Sequence, residues 1–277
     1  MSTQDHDDPA AESVAVDSLS FDTSVAHPAR IYNYWLGGKD NYEADRQAAE
    51  QAIAVTPDIL PGVRANRAFL RRAVEFAAGQ GIRQFLDIGT GLPTADNTHE
   101  VAQDIAPESR VVYVDNDPIV LAHARALLTS SEAGATEYID ADLRDTDTIL
   151  SRASRLLDFT QPVAVTMLFI LHAIPDEDDP HAIVATVLDA LPPGSYLALS
   201  HLGSDIFDEE AQQGFQNIVG RMSQQQYTGR SREQMLRFFT GMELVEPGLV
   251  RIKEWRPDPG SVGDYKSTAW GAVGRKS

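Results

Sequence analysis

The sequence predicts an α/β protein built on a doubly wound, mostly parallel sheet of seven strands. Predicted strands and helices alternate five times between residues 85 and 200, and helical crossovers between neighbouring strands require parallel pairing. The strands are also near-continuous apolar runs, of which residues 163–170 are the longest. Runs of this kind are expected when helices cover both faces of a sheet.

The first 80 residues are predicted to precede the sheet. Residues 1–22 are rich in Asp, Ser, Ala and Thr and are predicted to be a disordered tail. Residues 23–80 are predicted to form a helical lid, with helices at 42–55 and 64–78 and a break at Pro61-Gly62. Within it, the run 30–42 mixes three Tyr and one Trp with charged and amide side chains. That composition suits a pocket wall or a short helix docked on the body.

Residues 81–277 are predicted to contain the sheet. The first strand, 85–88, runs into Gly89-Thr90-Gly91, where glycine tolerates positive φ and lets a ligand approach the backbone. Further strands are predicted at 110–114, 136–139, 162–170 and 195–200, with helices between them at 97–106, 118–128, 147–157 and 180–191. A polar helical insertion at 205–240, with a capping box of Ser231 and Gln234, precedes two late strands at 242–252 and 267–273.

Composition excludes several functions. The chain has no cysteine, so it has no disulfide, thiolate metal site or cysteine nucleophile, and no metal is expected. Its 23 basic and 41 acidic residues give a net charge of −18, which disfavours nucleic-acid binding and mildly favours neutral or cationic small molecules. No apolar run approaches the length of a membrane span, and the expectation is a cytoplasmic protein without a membrane partner.

Acidic residues follow several of the predicted strands. Ligands of doubly wound sheets bind beyond the carboxyl ends of the strands, so Asp87, Asp115 and Asp142 should converge there. Asp115 could accept hydrogen bonds from two ribose hydroxyls, and it is predicted to be free because Asp117 already caps the next helix. Asp142 and the backbone of Leu143 could bind the edge of an adenine, although a plain loop carboxylate is the simpler interpretation of Asp142 alone.

A dinucleotide is harder to accommodate. The fingerprint G-x-G-x-x-G needs a third glycine for close helix packing, and Leu92-Pro93-Thr94 follows Gly91 here. Pro93 also delays the helix whose N-terminus would neutralise a pyrophosphate. A cofactor without phosphates therefore fits better, and an NAD-dependent oxidoreductase remains an alternative.

At these residues the sequence resembles the class I S-adenosylmethionine-dependent methyltransferases. The matching segments are 86–91, Val114-Asp115, 140–143 and the end of the fourth strand. The late pair of strands also fits that Rossmann-like methyltransferase fold, whose seventh strand enters antiparallel. More closely, the runs 30–42 and 64–67 resemble a bacterial family of uncharacterised methyltransferases known as DUF574, and this resemblance covers nearly the whole chain except the tail.

The resemblance implies S-adenosylmethionine (SAM) as the cofactor. The residues it implies in cofactor binding are Arg64, Asp87, Gly89, Thr90, Gly91, Asp115, Asn116, Asp142 and Leu143. Gly89 and Gly91 would let the methionine half approach, and Asp87 would order the loop or bind the amino group. Asp115 would take the ribose hydroxyls, and Asp142 with Leu143 would bracket adenine. Arg64 is either a ligand of the cofactor carboxylate or a solvated helix residue, and Pro93 stands where the superfamily commonly has a third glycine.

Methyl transfer requires mainly in-line positioning, and a base only if the acceptor must lose a proton. His172, after the fourth strand, is the candidate base, with a structural imidazole bonded to backbone as the alternative. The predicted substrate pocket comprises Tyr32, Tyr34, Trp35, Asn41 and His201, of which His201 is also a weaker candidate base. The predicted function is methyl transfer from SAM to a small molecule. Leu171-His172 and Asp176-Glu177 resemble a segment of small-molecule O-methyltransferases, but Asp178 stands where those enzymes have the basic His, which leaves a non-catalytic SAM sensor as an alternative.

Overall fold

The computed structural model describes residues 22–127, 130–206, 214, 227–260, 263, 265 and 267–277. The predicted tail other than Asp22, and much of the predicted insertion at 205–240, therefore lie outside the described residues. No helix in the described ranges is long and apolar enough to cross a membrane.

The described strands form one sheet in the order β3-β2-β1-β4-β5-β8-β6, with β7 paired to β8. The strands are β1 (Gln84–Ile88), β2 (Arg110–Asp115), β3 (Ala135–Asp140), β4 (Ala164–Leu168), β5 (Tyr196–Leu202), β6 (Met242–Leu244), β7 (Val250–Arg251) and β8 (Ala269–Lys276). The first five strands are parallel, so their carboxyl ends share one edge. β8 runs antiparallel to β5, as the family resemblance implied for a late strand.

Helices cover both faces of the sheet. They are α1 (Pro28–Trp35), α2 (Glu43–Val55), α3 (Ile59–Gly79), α4 (Thr98–Ile105), α5 (Pro118–Leu127), α6 (Thr146–Ala153), α7 (Pro180–Asp189) and α8 (Arg232–Arg237). The alternation within β1 separates two cores: Leu86 and Ile88 pack with α6 and α7, whereas Phe85 packs with α3 and α4. Burial on both faces is why the strands are apolar at nearly every position.

Helix α3 starts earlier than predicted, because Pro61-Gly62 does not break it. Pro61 lies in the first turn, where a missing N–H costs no intrahelical hydrogen bond. A Cβ on Gly62 would lie 2.8 Å from Thr268 Oγ1, so the glycine permits close contact with the segment that enters β8. Helices α1 and α2 pack on each other and on the first turn of α3.

The prediction of a single late strand at 242–252 is wrong, because two strands form there. A turn closed by Gly248 N–H donating to Val245 O (2.8 Å) separates β6 from β7, which brings the described strands to eight rather than seven.

Two other elements end earlier than predicted. β4 ends at Leu168, because Phe169 has a left-handed φ of +51°. Helix α6 ends at Ala153, and short i→i+3 turns follow it. The predicted capping box is confirmed at Ser231 and Gln234.

Candidate functional site

A cavity of about 560 Å³ lies at the carboxyl edge of the parallel strands. The ends of β1 to β4 form one side of it, and α1 and α3 supply residues from the other side. Its volume falls within the ordinary range of small-molecule sites. Eight of the nine residues predicted to bind a cofactor line it: Asp87, Gly89, Thr90, Gly91, Asp115, Asn116, Asp142 and Leu143.

The glycine turn after β1 is tied to the end of β2. Gly89 N–H donates to Val114 O at 2.8 Å, and Gly89 and Gly91 have φ values of +76° and +66°. A Cβ on Gly89 would lie 2.6 Å from the Ile170 side chain, whereas a Cβ on Gly91 would meet no atom within 4 Å. Gly89 therefore serves a close internal contact, and the backbone of Gly91 borders open cavity.

Asp115 is not free of protein partners, contrary to the prediction. Its Oδ2 accepts from Gly91 N–H at 2.9 Å and its Oδ1 accepts from Asp117 N–H at 3.0 Å. Burial raises the pKa of Asp115, and these two backbone bonds oppose that rise. A carboxylate has about four acceptor positions, so about two remain for a ligand. Asp117 caps α5 as predicted, accepting from Ile119 N–H at 2.9 Å.

Asp142 lies beside the end of β3 in a small polar cluster. Its carboxylate accepts from Arg144 Nη1 at 3.0 and 3.1 Å and from Asn116 Nδ2 at 3.2 Å. Arg144 also pairs with Asp178 at 2.7 Å. Leu143 is buried and lines the cavity next to this cluster. The structure thus brings Asn116, Asp142 and Leu143 together, with Arg144 as a partner that the sequence did not indicate.

Asp87 is a buried carboxylate at the base of the cavity. Its two oxygens accept from the hydroxyls of Thr166 and Thr98, both at 2.6 Å. Burial raises the pKa of Asp87, and these hydrogen bonds together with the charge of Arg67 act in the opposite direction. The side chain thereby joins β1, β4 and α4 directly beneath the glycine turn.

Of the two interpretations of Arg64, the structure favours the solvated helix residue. Arg64 is exposed on α3 and does not line the cavity, whereas Arg67, one turn later, does. Arg67 Nη2 donates to Ala95 O and Asp96 O at 3.0 and 2.9 Å. Its Nε is buried and has no hydrogen-bond partner among the described residues.

The predicted substrate residues divide into two groups. Tyr32 and Trp35 line the cavity, but Tyr34, Asn41 and His201 do not. The Tyr34 hydroxyl turns to Glu50 on α2 at 3.0 Å. Asn41 Nδ2 donates to Asn33 Oδ1 on α1 and to Gly38 O in the following loop, at 3.1 and 2.9 Å.

His201 lies behind the cavity rather than in it. Its Nδ1 is 2.8 Å from Leu202 O, and its Nε2 is 2.8 Å from Nη1 of Arg230. Burial lowers the pKa of His201 to about 3. The side chain is therefore neutral at pH 7 and supports the buried guanidinium, so it is excluded from the predicted substrate pocket.

His172 lines the cavity after β4. Its ring stacks on Tyr227 with centroids 4.9 Å apart, and burial lowers its pKa to about 3. Its Nδ1 is buried without a hydrogen-bond partner among the described residues, so the alternative of a ring bonded to backbone fails at that nitrogen. A neutral imidazole with so low a pKa is a hydrogen-bonding group and a weak base.

The sequence analysis did not assign several other residues that line the cavity, namely Asn33, Asn66, Arg67, Phe169, Tyr227 and Thr268. Asn66 and Arg67 lie in the run 64–67 that carries the family resemblance, so that run was the available signal. Phe169 sits within a continuous apolar run, and nothing in the sequence marks its left-handed turn.

Comparison with known proteins agrees with this geometry. A family model described as S-adenosyl methyltransferase matches residues 15–277. A DUF574 family protein from Streptomyces avermitilis is 44% identical, with a TM-score of 0.88 over 92% of this chain and 99% of that one. A candidate methyltransferase from Thermobifida fusca is 40% identical, with a TM-score of 0.83 over 92% and 97% of the two chains. No curated protein matches the sequence.

A more distant structure shares the fold alone. The plantazolicin methyltransferase BpumL, solved in complex with S-adenosylhomocysteine (SAH), is 11% identical, with a TM-score of 0.50 over 90% of this chain and 95% of that one.

Proposed function

The chain belongs to the S-adenosyl methyltransferase family, and from this we propose that it transfers the methyl group of SAM to a small molecule. The observation that carries the proposal is the convergence of the glycine turn, Asp115 and Asp142 on one cavity. Membership of this family also argues against the alternative function of an NAD-dependent oxidoreductase.

The residues present fit the adenosine part of SAM. The remaining acceptor positions of Asp115 would take the ribose hydroxyls, and the open space beside Gly91 would admit the cofactor close to the backbone. Asn116, Asp142 and Leu143 would surround the adenine, with the Leu143 side chain against the ring. Because Arg144 already neutralises Asp142, the Asp142 carboxylate would act by hydrogen bonding more than by net charge.

The methionine carboxylate needs a positively charged partner, and we assign it to Arg67 in place of Arg64. Arg67 lines the cavity, and its buried Nε lacks a partner within the described part of the chain. A buried guanidinium donor without an acceptor is costly, and a carboxylate would supply that acceptor. The two carbonyls of the 95–96 turn already hold the other end of the guanidinium in place.

When bound, SAM supplies the methyl carbon: an acceptor lone pair bonds to it as the C–S bond breaks and the electron pair returns to sulfur. A proton carried by the acceptor atom would pass to water, since a pKa of about 3 prevents His172 from retaining it at neutral pH. The chain contributes mainly orientation and exclusion of water. We assign the second task to a lid of α1 and α2, from which Tyr32 and Trp35 face the cavity.

Isothermal titration calorimetry with SAM and with S-adenosylhomocysteine (SAH) tests the proposal. We expect both to bind, and the absence of heat at millimolar ligand would refute it. Release of SAH on addition of acceptors then separates an enzyme from the non-catalytic sensor. Binding of SAM with no SAH release over neutral, cationic and anionic acceptors would support the sensor instead.

A further inference from the structure

The cavity has two chemically different ends. The strand ends and the glycine turn supply carboxylates and backbone N–H groups, whereas the end beneath α1 is aromatic. We call this second end the aromatic compartment, defined by Tyr32, Phe169, His172 and Tyr227, all of which line the cavity. The compartment lies beside the part of the site assigned to SAM, so it is where an acceptor would meet the methyl group.

The four rings form a continuous series. Tyr32 and Phe169 meet edge to face with centroids 6.4 Å apart, and Phe169 and His172 do the same at 6.1 Å. His172 then stacks on Tyr227 at 4.9 Å with the planes 19° apart. Rings arranged at right angles and in parallel offer both faces and edges to a planar guest.

The compartment is held by hydrogen bonds outside it. Asn66 Nδ2 donates to the Tyr32 hydroxyl at 3.0 Å, and Ser200 Oγ donates to Asn66 Oδ1 at 2.6 Å. The buried Arg230 donates to Leu171 O and Ile174 O, both at 2.8 Å, and so fixes the short turn that carries His172. The ring positions are therefore set before any ligand arrives.

None of the four rings that define the compartment carries a charge at neutral pH. Each cavity carboxylate is already bonded elsewhere: Asp87 to two threonines, Asp115 to backbone and Asp142 to Arg144. Because Arg67 is assigned to the methionine carboxylate, a charged acceptor would lose its hydration in the compartment without gaining a counter-ion from the other described residues that line the cavity. Aromatic faces can attract cations, but the positive charge of Arg230, which also disfavours protonation of His172, opposes that here.

Among the four rings of the compartment, the polar atom that is buried without a partner in the described ranges is His172 Nδ1. A buried nitrogen of this kind is expected to find a hydrogen bond in the working complex. A hydroxyl satisfies either tautomer of the imidazole, because it can both donate and accept.

We propose that the aromatic compartment holds an uncharged aromatic acceptor whose hydroxyl or N–H group hydrogen-bonds to His172 Nδ1. This inference rests on the methyl-transfer function proposed above. It goes further by specifying charge, planarity and one polar contact of the substrate.

Three phenols test the charge preference: p-cresol is neutral, tyramine cationic and 4-hydroxyphenylacetate anionic, on the same ring. Their affinities for the full chain are measured by ligand-detected NMR with and without SAH. We expect p-cresol to bind about ten-fold more tightly than either ion, since an ion would lose its hydration without a partner. Equal or tighter binding of either ion, or no binding of p-cresol, would overturn the proposal. SAH affinity is measured separately, so a failure of the proposed function is distinguishable.

Two tyrosines on α1 provide a matched pair of variants. Tyr32→Leu should weaken p-cresol binding roughly five-fold by removing one aromatic wall. Tyr34→Leu changes a tyrosine outside the cavity and should leave it unchanged. Equal losses in the two variants would contradict the assignment of the compartment.

The role of His172 is tested with a ligand pair. His172→Phe keeps a flat ring and removes Nδ1, so it should weaken p-cresol roughly five- to ten-fold. It should spare p-xylene, which has no hydrogen-bonding group. An equal loss for both ligands would assign His172 a purely structural role and overturn the hydrogen-bond part of the proposal. Should the variant not fold, the Tyr32 pair and the charge series still decide.

Discussion

The carboxylate of Asp115 accepts a hydrogen bond from the backbone N–H of Gly91 at 2.9 Å, which ties the end of β2 to the glycine turn after β1. Asp115→Asn replaces one carboxylate oxygen by a donor, so one of the two backbone bonds becomes an N–H facing an N–H. The variant also removes the negative acceptor proposed for the ribose. We expect SAM affinity to fall about 10- to 100-fold, as measured by calorimetry.

Asp147→Asn is the control for this loss of charge. Asp147 is exposed in the first turn of α6 and does not line the cavity. Its variant should bind SAM as the wild type does. If the two variants lose affinity equally, Asp115 has no special role and the ribose assignment fails.

Gly91 should be more important for binding than for stability. Gly91→Ala forces a φ of +66° on alanine, which costs about 1 kcal/mol, and places its methyl group in otherwise open space. We expect a small loss of unfolding free energy and a loss of SAM affinity of about ten-fold or more, because the methyl group would occupy space assigned to the ligand.

Gly241→Ala separates strain from obstruction. Gly241 has a φ of +79°, also with no atom within 4 Å of a built Cβ, but it lies outside the cavity. It should lose similar stability in urea denaturation and bind SAM normally. Weak binding in both variants would show that backbone strain, not the cavity, explains the effect.

Arg67 is tested with a ligand that lacks the carboxylate. Arg67→Met should weaken SAH about ten-fold or more by removing a charge-assisted contact. It should leave 5′-methylthioadenosine, which has no amino-acid portion, nearly unchanged. Arg64→Met, one turn away on α3 and exposed, should affect neither ligand. A parallel loss for both ligands in Arg67→Met would indicate a structural role through the turn at 95–96.

Much of the fold could be predicted because its signals are local. The strands β1, β2, β3 and β5 end at or directly before Gly or Asp, and parallel topology alone gathers Asp87, Asp115 and Asp142 at one edge. The late strands were predicted less well: Pro247-Gly248 is a turn signal inside the run predicted as one strand, and the structure places the turn there.

The side chains of the site depend on orientation, which the sequence does not specify. Arg64 and Arg67 differ by less than one helical turn, so choosing between them requires the rotation of α3 against the sheet. His201 lies near the end of β5, much as His172 follows β4, but it turns toward Arg230, which is 29 positions later in the chain. The partner that decides its role is therefore remote in sequence.

Two buried histidines make the stability of the protein depend on pH. Burial lowers the pKa values of His172 and His201 from 6.5 to about 3, so the unfolded chain binds more protons than the folded one between these values. Stability therefore falls as pH decreases from 7 to 5, by about 2 kcal/mol for each histidine. Urea denaturation at several pH values measures this slope.

The variant His172→Phe isolates one of these contributions. Burial raises the pKa values of Asp87 and Asp115, an effect of opposite sign, so the difference between wild type and variant is the clearer quantity. We expect His172→Phe to lose about half of the histidine-dependent slope between pH 7 and 5. An unchanged slope would mean that His172 is already accessible to protons in the folded state.

The first two helices are joined by a buried ion pair, and this pair should control the order of the proposed lid. Arg30 Nε lies 2.8 Å from Asp45 Oδ2, and Asp45 also accepts from His27 N–H and Tyr42 N–H, both at 2.8 Å. Asp45→Asn leaves the Arg30 charge buried without its counter-ion, which costs about 3–5 kcal/mol. We expect faster hydrogen exchange throughout α1 and α2.

Three comparisons decide whether charge burial is the cause. Glu43→Gln, in the same helix, removes an exposed pair with Arg46 and should have little effect on stability, because solvent screens such pairs. Adding Arg30→Met to Asp45→Asn removes the unpaired buried charge and should restore part of the protection of α1 and α2 from hydrogen exchange. If α1 and α2 exchange as slowly in Asp45→Asn as in Glu43→Gln, the ion pair does not hold them. SAM affinity should fall in the variants whose α1 and α2 exchange faster, because α1 carries Tyr32 over the cavity.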